Sequence, residues 1–137
     1  MIRVYTDMAA DVFHIGHLNL LKKAKAMGDY LIVGVHSDEQ IASYKRRPIF
    51  SEQDRYEIMR GCRYVDEVIE AAPLVMTKDF LLNNKIDLVV RGDDTSQQHL
   101  EQQADPIDMG IMRYVPRTPG ISTSDIIDRI VGEYRNE

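Results

Sequence analysis

Short apolar runs rich in β-branched residues alternate along this chain with segments of helical periodicity, and that alternation constrains its fold more than any other feature. The runs at 2–6, 30–36, 67–70, 88–91 and 112–116 read as strands. Between the first two, a helix over 17–27 places Leu18, Leu20, Leu21, Ala24 and Met27 largely on one face. Ser51 is positioned to cap a helix running to about Cys62, with Asp54 completing a capping box, and a third helix covers 77–83. Ser122 and Asp125 repeat that box before a terminal helix with Ile126, Ile127, Ile130 and Val131 on its apolar side. Strands alternating with helices imply crossover connections, hence an α/β fold with a five-stranded parallel sheet and helices on both faces. No repeat, low-complexity tract or linker interrupts the pattern, so residues 1–137 are expected to form a single domain.

In sheets of this kind ligands bind outside the carboxyl ends of the strands, where strand order reverses. The segments to search are therefore 7–17, 36–48, 91–95 and 117–124. In the first lies His14-Ile15-Gly16-His17, at the junction of loop and helix. Two imidazoles there can lie side by side, Gly16 admits a phosphate to the backbone, and the helix start favours negative charge. Read alone, such a pair also suits surface or metal-binding histidines. The last segment reads Arg117-Thr118-Pro119-Gly120-Ile121-Ser122-Thr123-Ser124, one fixed cation and four hydroxyls ahead of a helix start. A capped helix after a turn explains Ser122 and Gly120 but neither Arg117 nor the surplus hydroxyls. Arg91-Gly92-Asp93-Asp94 follows a strand and could meet an amino group of a base or a metal, although Gly-Asp-Asp is also a common turn. Lys45-Arg46-Arg47, after the second strand, is either a solvated face or an anion clamp.

Composition excludes several classes of partner. A net charge of −5 argues against general nucleic-acid or anionic-membrane binding, which needs an excess of Lys and Arg. Cys62 stands alone, so neither an intramolecular disulfide nor a thiolate metal cluster is expected, which suits a reducing compartment. The strand-like beginning lacks the charged start and apolar run of a signal peptide. No apolar stretch approaches the roughly 18 residues that span a bilayer. The expectation is a cytoplasmic protein with neither nucleic-acid nor membrane partners and no protein-held metal.

Taken in order, the HxGH segment, Asp54-Arg55-Tyr56, Arg63-Tyr64-Val65-Asp66-Glu67-Val68-Ile69, Gly92-Asp93-Asp94 and the 117–124 stretch resemble the cytidylyltransferases that act on glycerol 3-phosphate, phosphocholine and phosphoethanolamine. The resemblance covers nearly the whole chain and implies a Rossmann-like nucleotidyltransferase fold. The histidine pair belongs to the wider nucleotidyltransferase superfamily, whereas the R-T-x-G-I-S-T-[ST] stretch is the part specific to CTP. The implied reaction is direct in-line attack of the acceptor's phosphate oxygen on the α-phosphorus of CTP, releasing pyrophosphate.

By the same resemblance, His14, His17, Lys45 and Arg117 are the catalytic residues. Ala9, Ala10, Asp11, Gly16, Arg63, Gly92, Asp94, Thr118, Gly120, Ile121, Ser122, Thr123 and Ser124 are implied to bind the nucleotide, with Mg²⁺ accompanying the triphosphate. Lys45 bridges the acceptor and CTP phosphates in the family pattern, and a homodimer is implied. An ATP-dependent adenylyltransferase and a non-catalytic nucleotide-binding module are the alternatives.

The chain departs from the family at Met8 and Ala10, which stand for a Gly and an aromatic residue ahead of Asp11. It has no Trp, and Leu74 occupies the place that phosphocholine enzymes give to one, which disfavours a quaternary ammonium acceptor. Tyr44 and Thr77 fall at the spacings of the glycerol-3-phosphate enzyme's lysines, with Lys45 and Lys78 one residue away; both lysines are acceptor candidates. Asp7 could receive a primary ammonium, as in phosphoethanolamine or an aminophosphonate, or simply cap a turn.

Overall fold

The computed structural model describes residues 1–93 and 97–135. Strands β1 (Arg3–Met8), β2 (Tyr30–Val35), β3 (Glu67–Glu70), β4 (Leu88–Gly92) and β5 (Met112–Val115) form one parallel sheet in the order β3-β2-β1-β4-β5. The order reverses between β1 and β4, so the crevice expected of such a sheet opens beyond Asp7 and Met8 on one strand and Arg91 and Gly92 on the other. The helices are α1 (Ile15–Ala26), α2 (Asp38–Ala42), α3 (Glu52–Arg60), α4 (Lys78–Asn83), α5 (Gln97–Gln102), α6 (Ala104–Asp108) and α7 (Thr123–Tyr134).

Neighbouring residues of the central strands serve opposite faces, as the pleat requires. Val4, Leu31, Val33 and Val90 join Leu21 and Ala24 of α1 and Tyr56 and Met59 of α3 in one core. Tyr5, Ile32 and Val89 join Leu81 of α4 with Met76 and Ile86 in the other. With both faces covered, β2 reads Tyr30-Leu31-Ile32-Val33-Gly34-Val35, a continuous apolar run rather than an alternating one. Gly34 is required where it stands, since a Cβ there would lie 2.1 Å from the Tyr5 hydroxyl.

The structure extends and corrects the sequence reading in four places. β1 runs two residues past the expected end, because Asp7 and Met8 continue the pairing with Gly34 and Val35. Ser51 and Ser122 do cap their helices, accepting the N–H of Asp54 and Asp125. Neither forms the reciprocal half of a capping box, Asp being one methylene shorter than the Glu or Gln that closes one. Complete boxes occur instead at Ser37 with Gln40 and at His14 with His17. α2, α5 and α6, each of five or six residues, are too short to carry a periodic signal. Finally, α7 buries none of its side chains; Ile130 and Val131 are about half exposed, at 53% and 46%.

Candidate active site

A cleft of about 380 Å³ opens over the carboxyl ends of β1 and β4 and beside the loop that leaves β2. Most of the expected residues line it: Asp7, Ala9, Ala10, Asp11, His14, Gly16, His17, Lys45, Gly92, Arg117, Thr118, Ile121, Ser122, Thr123 and Ser124. Gly120 is not among them; at φ +79° it makes the left-handed turn that leads into α7. Arg63 lies elsewhere, stacked on Tyr64 beside a separate apolar hollow with Phe13, Leu18 and Ile58. Lys78 opens α4, its N–H bound to Asp105, and also lies away from the cleft. Asp94 lies outside the described residues.

The two histidines lock each other at the start of α1. His14 is the N-cap, and its Nδ1 accepts the N–H of Gly16 at 3.0 Å. The N–H of His14 in turn donates to Nδ1 of His17 at 3.1 Å. A nitrogen that accepts carries no proton, so each neutral ring bears its hydrogen on Nε2 and presents a donor there. Burial, then the charge of Arg117, lowers the pKa of His14. Burial first, then His14, with Asp11 opposing and Lys45 adding, lowers His17 to about 4. Gly16 makes room for this arrangement, since a Cβ there would come within 2.8 Å of the His14 ring.

The hydroxyl-rich stretch before α7 meets the histidines from the other side. Ile121 lies 3.5 Å from the position a Gly16 side chain would take. Three hydrogen bonds stitch the segments together: Asn19 to the Thr118 hydroxyl, Lys23 to the Pro116 carbonyl, and the Thr123 hydroxyl to the Asp11 carbonyl. Thr123 therefore uses its hydrogen within the protein. Thr118 and Ser122 accept bonds, from Asn19 and from the Asp125 N–H, and keep their hydrogens to offer an anion. Two twelve-residue helices, α1 and α7, thus begin at one cleft, where their first-turn N–H groups and dipoles favour negative charge. Lys45, Arg46, Arg91 and Arg117 line the same space, a cationic mouth on an acidic chain. The pKa of Lys45 is lowered, by burial first and Arg46 second.

Asp11 lies on the cleft wall, but its carboxylate serves the scaffold. It accepts the N–H groups of Ile49 and Phe50 at 2.8 and 2.9 Å, fixing the loop that carries Lys45. Ala10 and Val12, either side of it, hold left-handed φ values of 58° and 48°. Such conformations cost roughly 1 kcal/mol or more each in non-glycine residues and persist when the surroundings fix them. Met8 meets the family departure at its position by lying in β1 and packing on the core.

Sequence reasoning named Asp7 and the segment that begins at Arg91, but missed His36 and the pairing that forms the cleft floor. His36, just past β2, places Nε2 3.1 Å from Oδ2 of Asp7. Arg91, on β4, places Nη1 3.1 Å from Oδ1 of the same carboxylate, which has no solvent exposure. Tyr44 closes the floor from the loop after α2; burial, then the charge of Asp7, raises its pKa. A polar residue ending an apolar strand at the sheet's carboxyl edge is the signal that could have flagged His36. Within the described residues, no three His, Cys, Asp or Glu converge to hold a metal ion. Nor is any helix among them long and apolar enough to cross a membrane.

Comparison with known proteins gives these features a context. Residues 9–129 match the cytidylyltransferase-like family. Over 137 residues the chain is 40% identical to the ethanolamine-phosphate cytidylyltransferase of Dictyostelium discoideum, covering 95% of this chain and 37% of that protein. It is 41% identical over 143 residues to choline-phosphate cytidylyltransferase A of Homo sapiens, covering 97% and 37% respectively. The chain therefore spans little over a third of the length of these curated relatives. A lipopolysaccharide core biosynthesis protein from Thermoplasma volcanium superposes with a TM-score of 0.73 at 27% identity, over 86% of this chain and 98% of that one. Pantothenate synthetase from Thermus thermophilus superposes at 0.63 with 16% identity, over 92% and 61%, a likeness of fold alone.

Proposed function

Because the chain belongs to the cytidylyltransferase-like family, we propose that it transfers CMP from CTP to a small phosphorylated alcohol or related phosphonate, releasing pyrophosphate. Phosphoethanolamine and glycerol phosphate are acceptors of this class. The observation that carries the reading is the meeting of His14 and His17 with the 117–124 stretch across one cationic cleft.

The chemistry follows from what these groups offer. A phosphate or phosphonate nucleophile is already ionised at neutral pH, so no general base and no covalent intermediate are needed. The Nε2–H groups of His14 and His17 donate to the α-phosphate as charge accumulates in the five-coordinate transition state. Arg117, the Thr118 and Ser122 hydroxyls and the first N–H groups of α7 hold the β- and γ-phosphates. Lys45 spans the acceptor and nucleotide phosphates. Mg²⁺ enters as part of the substrate, MgCTP. The cleft carboxylates do not fit a protein-held ion: Asp7 is ion-paired and Asp11 binds two N–H groups, while Asp93, outside the cleft lining, accepts the Arg117 N–H.

Family resemblance further supports a homodimer, residues 63–69 matching the region that supports it in relatives, and the lone Cys62 suits a cytoplasmic location; light scattering at micromolar concentration reads the oligomer. Pyrophosphate release with CTP and with ATP, each against a panel of phosphate and phosphonate acceptors, tests the reaction. Turnover is expected with CTP. Equal or faster turnover with ATP, or calorimetry in which the protein ignores CTP, would remove the proposal.

A further inference from the structure

We propose that Arg91 is a specificity residue that makes this cleft select acceptors whose far end is a carboxylate, and reject those ending in an ammonium. This rests on the reading above and narrows it, setting phosphoethanolamine aside within the acceptor class named there.

The argument starts from the register. Tyr5 pairs with Val89, and both face the core formed with α4. Two residues on, by the pleat, Asp7 and Arg91 emerge on that same face at the carboxyl edge of β1 and β4. α1, with the two histidines at its start, packs on the opposite face through Leu21 and Ala24. An acceptor reaching the α-phosphate beside the histidines would therefore direct its other end toward Arg91.

At that end the carboxylate is out of a ligand's reach. Asp7 has no exposed side-chain surface and lies between His36 at 3.1 Å and Arg91 at 3.1 Å. Its Oδ1 makes no hydrogen bond, so the 3.1 Å pairing with Arg91 Nη1 is one of charge. Among the described residues no hydrogen bond uses the Arg91 guanidinium, although only 18% of its side chain is exposed and it lines the cleft. A guanidinium carries five donors in a planar fork, and one so nearly buried leaves them costly to strand. A carboxylate accepts two of them at once; an ammonium would meet a like charge.

The test measures kcat and KM for acceptors of matched size with CTP: 2-phosphoglycolate and phosphonoacetate, glycerol phosphate, and phosphoethanolamine and 2-aminoethylphosphonate. The wild-type protein should favour the carboxylated pair over the amines by tenfold or more in kcat/KM. Arg91→Gln uncovers Asp7, so the order should reverse through acceptor KM while KM for CTP holds; Arg91→Lys should retain the wild-type order. Calorimetry of the same acceptors on protein loaded with a non-hydrolysable CTP analogue reads the preference without turnover, and a thermal melt checks that each variant is folded.

Amines as the best wild-type acceptors would overturn the inference. So would a uniform rise in KM for every acceptor in Arg91→Gln, since that would make Arg91 a ligand of the common phosphate. Either result leaves CTP transfer standing. Absence of CTP binding overturns both the transfer and this preference.

Discussion

His14 and His17 stand with ring centroids 4.0 Å apart, each Nδ1 accepting an N–H of the turn that holds them. The pair is thus both the cap of α1 and a pair of outward Nε2–H donors. Protonating either Nδ1 would set a hydrogen against the N–H it now accepts, which agrees with the lowered pKa of both rings.

The first prediction concerns pH. His17 titrates near 4 in the folded protein against about 6.5 unfolded. The unfolded chain takes up the proton first, so stability is complete above pH 6.5 and falls as pH drops from there toward 4. A depression of that size corresponds to about 3 kcal/mol, and His14 acts in the same direction. Melting temperature followed from pH 7.5 to 4 should show the decline in ligand-free protein, with a shallower slope in His17→Gln. An imidazole resonance of His17 titrating at 6.5 would contradict this.

Replacing His14 by Asn separates the cap from the chemistry. Asn is a good N-cap and can still accept from the Gly16 N–H, but it presents no Nε2–H to the cleft. The expected result is a loss of about two to three powers of ten in kcat, the typical value of one transition-state donor, with stability within about 1 kcal/mol of wild type. A small rate effect in a well-folded variant would show that His14 is only a cap.

Gly16→Ala tests whether the glycine serves the ring or the helix. Alanine favours a helix by up to about 1 kcal/mol, so a purely structural position would gain stability. Here the added Cβ would stand 2.8 Å from Cε1 and 3.0 Å from Nδ1 of His14. The imidazole must therefore swing away. A tenfold or greater fall in kcat is expected with a melting temperature close to wild type, the helix gain of alanine offset by the lost cap bond to His14; full activity would mean the ring position does not matter.

Much of this architecture is legible in the sequence for a physical reason. Strand runs such as 30–35 and 88–90 are continuous and apolar because both faces of the sheet are covered, and Ser51 and Ser122 announce their helices through cap chemistry. The cleft follows from the rule for open parallel sheets. What stays hidden depends on strand order. Asp7 and Arg91 are 84 residues apart and meet only because β1 and β4 are neighbours at the point of reversal. Likewise nothing in the motif tells that Asp11 would turn its carboxylate to the 49–50 backbone. The apolar side of α7 was readable, but not that Ile130 and Val131 on it stay about half exposed.

Asp11 should therefore behave as a loop anchor. Asp11→Ala strands the N–H groups of Ile49 and Phe50, at a cost of about 2–3 kcal/mol for two bonds to a charged acceptor. Loosening that loop should raise KM for CTP and acceptor together, through Lys45, more than it lowers kcat. Asp11→Asn keeps one acceptor oxygen and should fall between. Chemical denaturation and steady-state kinetics on the two variants check the order.

Arg55 is the buried counterpart of that anchor. Its guanidinium has no exposed surface and donates to the carbonyls of Phe50, Ala9 and His36 and to the carboxylate of Asp38. Those four acceptors belong to the loop after β1, the end of β2, the start of α2 and the turn before α3, so one side chain ties together the segments that frame the cleft. Lysine keeps the charge but offers one nitrogen on a flexible stem, which cannot serve acceptors spread around a planar fork. Leaving buried carbonyls and Asp38 without their partner should cost about 3–5 kcal/mol in Arg55→Lys, the range found when a buried pair loses one member. Urea unfolding measures this directly. Where the variant stays folded, the Ala9 loop is no longer held and KM for CTP should rise. An Arg55→Lys protein within about 1 kcal/mol of wild type, with its KM unchanged, would mean that the loops keep their places without it.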